Sequence, residues 1–372
     1  MMRFVEATTS YENWLGKQMP LIAADLDYKH DQMSRDIFRF LRGTYYRWAQ
    51  VFPEICGELA KTPAVLSVGD LHADNFGTWR DLDGRLVWGI NDFDEAYVLP
   101  YTNDLVRLAA SLRLAIEAGV VKMDVEGAYQ AVLDGYNEWL FSDGRPFVLA
   151  EKASWLRALA QDQLRDPVAF WDKIKALPPL KGRAPVDAKA MLDQALPEKN
   201  LDVTIAPRRA GMGSLGRIRL VASGKWRGGM IARETKAMAQ SACVWALSAP
   251  SGALFNDEIR NRAVRCPDPL VWTKDGWIVR RLSPDCSKID LAEMPKAEEP
   301  RFIHAMGRET ANIHHGSPRM IDAVRKDFSA RQKRSPRWLA LAADNMVQRT
   351  NSDWREWRAA NVPKDPEKPK KS

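Results

Sequence analysis

The 372-residue sequence has few side chains that bind soft metals, with four cysteines and five histidines. Cys56, Cys243, Cys266 and Cys286 are scattered along the chain and form no Cys-x-x-Cys pair. This pattern argues against a zinc cluster and against a disulfide framework. We therefore expect the four thiols to be reduced and buried.

Long apolar runs are also missing. No stretch reaches the roughly 18 apolar residues that indicate a membrane-spanning helix. The N-terminal segment, MMRFVEATTSYENWLGKQMP, carries charged and polar residues where a signal peptide has its apolar centre. We therefore expect a cytoplasmic protein with no membrane partner.

The excess of positive charge is modest, with 55 lysines and arginines against 48 aspartates and glutamates. A net charge of +7 is compatible with a phosphate-bearing ligand. We find no basic stripe with interleaved aromatic residues, and we expect no nucleic-acid partner. The densest basic run, residues 325–337, is typical of the solvated face of a helix. The hydrophobic content of 45% is that of an ordinary globular protein.

Hydrophobic periodicity divides the chain into five parts. Helical spacing predominates at first, an alternating strand pattern begins near residue 199, and helical spacing returns later. The hairpin predicted at 269–282 has Asp275-Gly276 at its tip, which is a strong turn signal, and residues 236–248 are predicted to be helical. The predicted parts are an N-terminal helical segment (1–65), a region of short strands followed by helices (66–198), an antiparallel sheet (199–285), C-terminal helices (286–360) and a disordered tail (361–372).

Two short segments concentrate oxygen-bearing side chains beside predicted strands. They are GDLHADN at 69–75 and INDFDEA at 90–96. A hard cation such as Mg²⁺ prefers oxygen ligands, which Asn75 and Asp92 would supply. Asp70 is suited to accept a proton from an attacking hydroxyl. The two segments together predict a site for metal and phosphate.

A glycine-rich segment, GMGSLG at 211–216, precedes a strand-like pattern rather than a helix. A dinucleotide-binding fold needs a helix at that point, so this segment instead predicts a hairpin that covers phosphates. Its candidate binding residues are Gly211, Gly213, Ser214 and Gly216.

A phosphate-covering hairpin of this kind also calls for a cation on the third strand and for a carboxylate that pairs with it. Arg233 stands at the expected strand position, and Lys236 follows three residues later. The two are not equivalent, because the planar fork of arginine holds phosphate differently from a lysine ammonium group. Glu258 is the predicted pairing carboxylate, with Glu234 as a competitor.

The segments at 69–75 and 90–96 resemble the catalytic loop and the metal-binding loop of the protein-kinase-like superfamily, closest to aminoglycoside phosphotransferases and choline kinases. The resemblance implies that Asp70 is the catalytic aspartate and that Asn75 and Asp92 bind the metal. It also implies that Asp104, in YTNDLVRL, braces the catalytic loop. Two positions depart from the pattern.

Val68 stands where the family usually has histidine, which weakens the expected bracing of the catalytic loop. Asp94 replaces the glycine of the metal loop, where it would add a metal ligand or a hydrogen bond.

The order of the segments differs from that of ordinary kinases, because here the glycine-rich segment follows the catalytic loop. Together with this order, the resemblance implies a circularly permuted α+β, kinase-like, two-lobed fold, in which residues 66–198 hold the catalytic loop and the helices of the larger lobe and residues 199–285 form the nucleotide-binding lobe. The chain resembles the bacterial DUF2252 family over nearly its whole length. The motifs that carry this resemblance are MSRDIFRFLRGTYYRW, GDLHADNFG, NDFDEA, GMGSLG, ARETKA, WIVRRLSP and ETANIHHG.

The resemblance implies an ATP- and Mg²⁺-dependent phosphotransferase that acts on a hydroxyl of an unknown small molecule or protein. Alternatives are a nucleotide-binding pseudokinase, favoured by the absence of a clear third-strand lysine, and a nucleotidyl (AMP) transferase. A metallophosphoesterase is disfavoured because further histidine and asparagine ligands are lacking. Arg42, Arg280 and Arg281 are expected beside the cleft, either binding phosphate or pairing with buried carboxylates.

Overall fold

The computed structural model describes residues 2–150, 153–162, 166–250, 252 and 254–362, and these form a mixed α+β structure. Several helices begin at aspartates whose side chains accept a backbone N–H, as Asp36 does from Arg39 at 2.7 Å. The helices are α1 Phe4–Gly16, α2 Ala23–Arg35, α3 Ile37–Gly43, α4 Tyr45–Cys56, α5 Thr102–Glu117, α6 Val125–Leu140, α7 Ser154–Asp162, α8 Pro167–Lys175, α9 Val186–Ala195, α10 Ala242–Ala246, α11 Asn256–Arg262, α12 Glu299–His314, α13 Ile321–Arg334 and α14 Trp338–Ala360.

The strands form three antiparallel sheets. Strand β1 pairs with β4, β2 and β5 flank β3, and the largest sheet has the order β6-β7-β8-β10-β9. The strands are β1 Ala64–Ser67, β2 Phe76–Arg80, β3 Leu86–Ile90, β4 Tyr97–Pro100, β5 Phe147–Val148, β6 Thr204–Pro207, β7 Arg219–Trp226, β8 Gly229–Ala237, β9 Trp272–Lys274 and β10 Trp277–Leu282.

Helix α5 lies at the centre of the main hydrophobic core. Its residues from Thr102 to Leu112 are all buried, and α6, α12 and α14 pack around it. A helix that is buried on nearly every side holds its polar side chains in fixed positions, since they must find partners within the protein. This helix carries Asp104 and Arg107, both fully buried.

The five-stranded sheet has two different faces. On one face, Leu220, Ala222 and Val279 pack against α9. On the other face, Val221 and Ala232 pack against α8, and polar residues of the same strands line a cleft. Because side chains alternate along a strand, neighbouring residues of β8 point to opposite faces.

The structure corrects one prediction of secondary structure and agrees with another. Residues 236–237 are not helical but end β8, where β7 and β10 pair with them on either side, and helix α10 covers only Ala242–Ala246. The predicted hairpin is present, with Asp275 at φ 49° and Gly276 at φ 79°, as a tight two-residue turn requires. Within the described residues, no helix is both long and apolar enough to cross a membrane. The tail predicted to be disordered lies, from residue 363 onward, outside the described residues.

Candidate functional site

A cleft of about 320 Å³ opens between the five-stranded sheet and the two acidic segments. This volume is within the usual range for small-molecule sites. The cleft is lined by residues from the segments at 68–75 and 91–95, from the glycine-rich segment, and from β10. Four parts of the chain that are far apart in sequence therefore share one cavity.

Asp70 points one carboxylate oxygen at an arginine and the other at the glycine-rich segment. Its Oδ1 accepts hydrogen bonds from Arg107 Nε at 3.0 Å and from Arg107 Nη2 at 2.5 Å. A Cβ placed on Gly213 would lie 3.7 Å from Asp70 Oδ2. Burial raises the pKa of Asp70 although the charge of Arg107 opposes the rise, and the nearby Asp92 adds to it. The carboxylate is thus a stronger proton acceptor than an exposed aspartate.

Asp104 holds the backbone immediately before Asp70. Its carboxylate accepts the N–H groups of Val68 at 2.8 Å and Gly69 at 2.9 Å. On its other side lies His314 of α12, whose Nε2 is 3.2 Å from Asp104 Oδ2. His314 Nδ1 in turn lies 2.8 Å from the hydroxyl of Tyr136. These hydrogen bonds go to backbone N–H groups and do not depend on the side chain at position 68. Asp104 therefore holds this backbone although valine stands where the kinase-like pattern has histidine.

Asn75 closes a short turn within the catalytic-loop-like segment. Its Oδ1 accepts the N–H of His72 at 2.7 Å, and the side chain is almost wholly buried. Burial, followed by the charge of Arg42, lowers the pKa of His72 well below its ordinary value, so the imidazole is neutral at pH 7. His72 Nδ1 accepts the N–H of Asp74 at 3.2 Å, which makes it a structural part of the turn.

Asp92 and Asp94 differ in their surroundings. Asp92 is exposed to the cleft. Asp94 forms an ion pair with Lys236, and Arg217 Nη1 lies 3.5 Å from its Oδ2. Burial alone would raise the pKa of Asp94, but the charges of Lys236 and Arg217 outweigh it and hold the pKa below its ordinary value. Asp94 is therefore a carboxylate that joins the large sheet to the metal-loop-like segment.

The glycine-rich segment forms the loop between β6 and β7. Gly211 has φ +74° and Gly216 has φ +96°, and both values belong to the left-handed region that glycine tolerates. The hydroxyl of Ser214 accepts a hydrogen bond from Arg219 Nη2 at 2.8 Å. The loop approaches Asp70 through Gly213, since a Cβ placed on that glycine would lie 3.7 Å from Asp70 Oδ2.

Arg233 and Lys236 lie on opposite faces of β8. Arg233 donates to the carbonyl of Ala195 at the end of α9, at 3.0 Å and outside the cleft. Lys236 faces the acidic segments and pairs with Asp94. Strand alternation separates the two candidates, and of the two only Lys236 contacts the metal-loop-like segment.

Neither predicted carboxylate partner contacts Lys236. Glu258 lies on α11, where its Oε1 is 2.8 Å from Arg262 Nη1. Glu234 is buried beside the cleft, with Oε1 at 2.6 Å from Arg219 Nη1 and 2.7 Å from Arg280 Nε, and with Oε2 at 2.5 Å from Arg208 Nη1. These three charges hold the pKa of Glu234 below its ordinary value against the opposing effect of burial.

Sequence motifs alone do not predict several residues of the site. Arg107 stands three residues after Asp104, and this spacing places both residues on one side of α5. The spacing is the only feature of the sequence that indicates a role for Arg107 in the site. Arg217 follows the glycine-rich segment directly. No motif indicates Lys288, which enters the cleft because its backbone pairs with Gly77 of β2.

The donor set suits a hard cation bound together with phosphate. Within the described ranges, no group of three or more histidine, cysteine, aspartate or glutamate side chains could hold a metal by itself. Mg²⁺ needs only one or two carboxylates when phosphate oxygens complete its shell. Asp92 offers a carboxylate to the cleft, and Asp94 Oδ1 is a buried oxygen without a hydrogen-bond partner among the described residues.

Comparison with known proteins gives one match. The family model described as an uncharacterized protein conserved in bacteria (DUF2252) matches residues 21–166. These residues contain both acidic segments and helix α5, whereas the glycine-rich segment lies beyond them. No curated protein and no solved structure matches the chain. Residues 21–166 are thus similar to the DUF2252 family, and the rest of the chain lies outside the match.

Proposed function

We propose that this protein is an ATP- and Mg²⁺-dependent phosphotransferase that acts on a hydroxyl group. One observation carries the proposal: Asp70, Asp92 and the glycine-rich loop line one cleft, and Lys236 pairs with Asp94 at its edge, although these residues come from different parts of the chain. In kinases a glycine-rich loop covers the phosphates, a strand lysine contacts them, and an aspartate and an asparagine hold the metal. The permuted, kinase-like arrangement of the two lobes belongs to the same proposal.

Asp70 is the residue proposed to act on the acceptor. Its Oδ1 is held by Arg107, which leaves Oδ2 directed at the loop and the cleft. In the proposed reaction the acceptor oxygen bonds to the γ-phosphorus of ATP, the bond from that phosphorus to the β–γ bridging oxygen breaks, and ADP leaves. The hydroxyl proton moves to Asp70 Oδ2. The bracing by Asp104 fixes the backbone from which this carboxylate projects.

Asp92, Asp94 and Asn75 are the proposed residues for Mg²⁺. Asp92 is open to the cleft and Asp94 Oδ1 is unpartnered. Asn75 Oδ1 already accepts one N–H, and a carbonyl oxygen has a second lone pair. When bound, the metal would neutralise charge on the phosphate oxygens. Arg219 lines the sheet side of the cleft, where it would contact the same phosphates, and Lys236 lines a small adjoining cavity together with Asp92 and Asp94.

A second candidate is a nucleotide-binding protein without catalysis. The contact that favours it is the pairing of Arg107 with Asp70 at 2.5 Å, because the guanidinium occupies Oδ1 and opposes the rise in the pKa of Asp70 that burial causes. Both candidate functions include nucleotide binding, but only the phosphotransferase transfers a phosphoryl group.

Thermal unfolding with ATP and Mg²⁺, separately and together, tests the proposal on the wild-type chain and on Asp92→Asn. A ligand present at about a hundred times its dissociation constant stabilises the native state by about 2.7 kcal/mol. We expect the full shift only with ATP and Mg²⁺ together. The metal-dependent part of the shift should disappear in Asp92→Asn.

Asp83→Asn is the matched control, because Asp83 is an exposed aspartate in the turn at the far end of the β2–β3 hairpin. This variant should behave as the wild type. Radiolabelled ATP then separates the two candidates, since only a phosphotransferase releases ADP in an acceptor-dependent manner. The absence of a shift with any nucleotide would overturn both.

A further inference from the structure

We infer that the cleft contains an anion subsite, formed by Arg42 and Lys288, that binds a phosphate group carried by the acceptor. This inference rests on the proposed function, and it assigns the substrate class: a hydroxyl compound that already bears a phosphate.

The charge of the cleft is the first argument. Nine basic and six acidic side chains line it. Two of the acidic residues, Asp92 and Asp94, belong to the proposed metal site and would be neutralised by the cation. Four acidic side chains then remain against nine basic ones, and three of the nine pair with the buried Glu234 beside the cleft. The excess of positive charge that is left is unfavourable to an amino sugar or a quaternary amine and favourable to an anion.

Arg42 is the first member of the subsite. It stands near the end of α3, and its Nη1 binds Asp74 Oδ2 at 2.7 Å. Its Nε is buried and has no hydrogen-bond partner within the described part of the chain. A buried donor without a partner is costly unless a ligand satisfies it. Arg42 lies beside the reactive aspartate, because its charge acts on Asp70 and its carbonyl oxygen lies 3.4 Å from a Cβ placed on Gly213.

Lys288 is the second member. Its chain segment is fixed on β2, where the N–H of Thr78 donates to the carbonyl of Ser287 at 2.8 Å. A Cβ on Gly77 would lie 2.7 Å from that carbonyl, so the close approach requires glycine. The side chain of Lys288 is open to solvent at the cleft. The protein around it removes part of its hydration and, with the charge of Arg42, lowers its pKa to about 8.

The position of the subsite separates it from the nucleotide phosphates. Lys236 and Arg219 belong to the large sheet and approach Asp94 and Ser214 from that side. Arg42 and Lys288 are attached to α3 and β2, next to the catalytic-loop-like segment. The charges of Arg42 and Asp74 act on Lys288, so the two cations share the side of the cleft next to the catalytic-loop-like segment, where they are placed to hold the acceptor.

Inorganic phosphate is the probe for this subsite. Thermal unfolding and titration calorimetry of the full chain would measure its binding at constant ionic strength, with acetate as the reference anion. We expect phosphate to stabilise the wild type more than acetate does. Lys288→Gln should weaken phosphate binding about tenfold, as expected for the loss of one charge-assisted hydrogen bond. Lys274→Gln, at an exposed position of β9 outside the cleft, should leave phosphate binding unchanged.

The magnesium complex of a non-hydrolysable ATP analogue distinguishes the subsite from the nucleotide site. We expect Lys288→Gln to change the affinity for this analogue by less than about threefold. We also expect phosphate to bind to the protein while the analogue is bound. Competition between phosphate and the analogue, or equal weakening of both in Lys288→Gln, would overturn the inference. Equal shifts with acetate and phosphate would also overturn it. Phosphate binding that is lost in Lys288→Gln, in a protein that binds no nucleotide, would instead overturn the proposed function and leave the anion subsite standing.

Discussion

The pKa values of two adjacent carboxyl groups in the metal-loop-like segment, Asp94 and Glu95, are shifted in opposite directions. Lys236 and Arg217 hold the pKa of Asp94 below its ordinary value, overcoming burial. Burial raises the pKa of Glu95 to about 7, although Arg217 and the N–H of Ala242 oppose the rise. The difference arises from partners, because Asp94 contacts an ammonium group whereas Glu95 Oε1 is 3.6 Å from a single guanidinium.

The raised pKa of Glu95 predicts a pH dependence of stability. The folded state keeps a proton on this group that the unfolded state loses above about pH 4.5, so the free energy of unfolding falls as pH rises from there to about 7. Each such group contributes a slope of about 1.4 kcal/mol per pH unit within that window. Glu309, whose pKa burial also raises to about 7, acts in the same direction.

Urea unfolding at pH 5, 6 and 7 would measure this slope. Glu95→Gln removes the titration, so its stability relative to the wild type should increase from pH 5 to pH 7. Glu293→Gln, at an exposed position, should follow the wild type at every pH. A constant difference between Glu95→Gln and the wild type across the three values would refute the assignment.

At the scale of elements, the packing of α6 against α12 depends on two glycines. A Cβ on Gly307 would lie 2.2 Å from the carbonyl oxygen of Val132, and one on Gly135 would lie 1.9 Å from that of His304. The helices are therefore in backbone contact. This close approach places His314, at the end of α12, within reach of Tyr136 and Asp104.

Gly307→Ala should destabilise the protein by about 2 kcal/mol, because the helices must separate to admit one methyl group. The loss would outweigh the roughly 1 kcal/mol that alanine contributes to helix propensity. Urea unfolding is the measurement. Gly16→Ala in α1 is the matched control: its Cβ would meet nothing closer than 3.7 Å, so the midpoint should stay the same or rise slightly. An unchanged midpoint for Gly307→Ala would show that the helices can separate at no cost.

At the scale of the whole molecule, the first and last helices pack together. The N–H of Val5 in α1 donates to Glu356 of α14, and Arg47 of α4 pairs with Asp353 at 2.9 Å. Both members of the Arg47–Asp353 pair are 3% exposed. The guanidinium of Arg47 also donates to the carbonyl of Met2 at 3.0 Å. One buried ion pair thus joins three parts of the chain.

Arg47→Met should lower the free energy of unfolding by about 3 kcal/mol, because it leaves a buried carboxylate with Arg349 as its remaining cation. The double variant Arg47→Met/Asp353→Leu should recover part of the loss, since no buried carboxylate then remains and Arg349, which loses its partner, is partly exposed to solvent. Lys61→Met, which breaks an exposed pair with Glu58, should leave the urea midpoint unchanged. A double variant less stable than Arg47→Met would mean that the pair matters for its packing rather than its charge.

Local patterns were sufficient for much of the fold. The mixed α+β class and the 269–282 hairpin follow from spacing and turn chemistry, and the structure confirms them. The DUF2252 resemblance rests on whole motifs, and the family model supports it over residues 21–166. The helix predicted at 236–248 failed because pairing with β7 and β10 outweighs a local helical pattern. The catalytic and metal roles of Asp70, Asn75, Asp92 and Asp94 remain predictions.

Contacts between residues that are distant in sequence could be identified only from the tertiary structure. Motifs indicated which residue types gather near the site, but not that Lys236 rather than Arg233 meets Asp94, nor that Lys288 enters the cleft. Helix and strand periodicity can be recognised in the sequence because each depends on residues that are only a few positions apart. Which side chains become partners depends on how sheets and helices pack, and residues more than a hundred positions apart, such as Asp94 and Lys236, then share one charge environment.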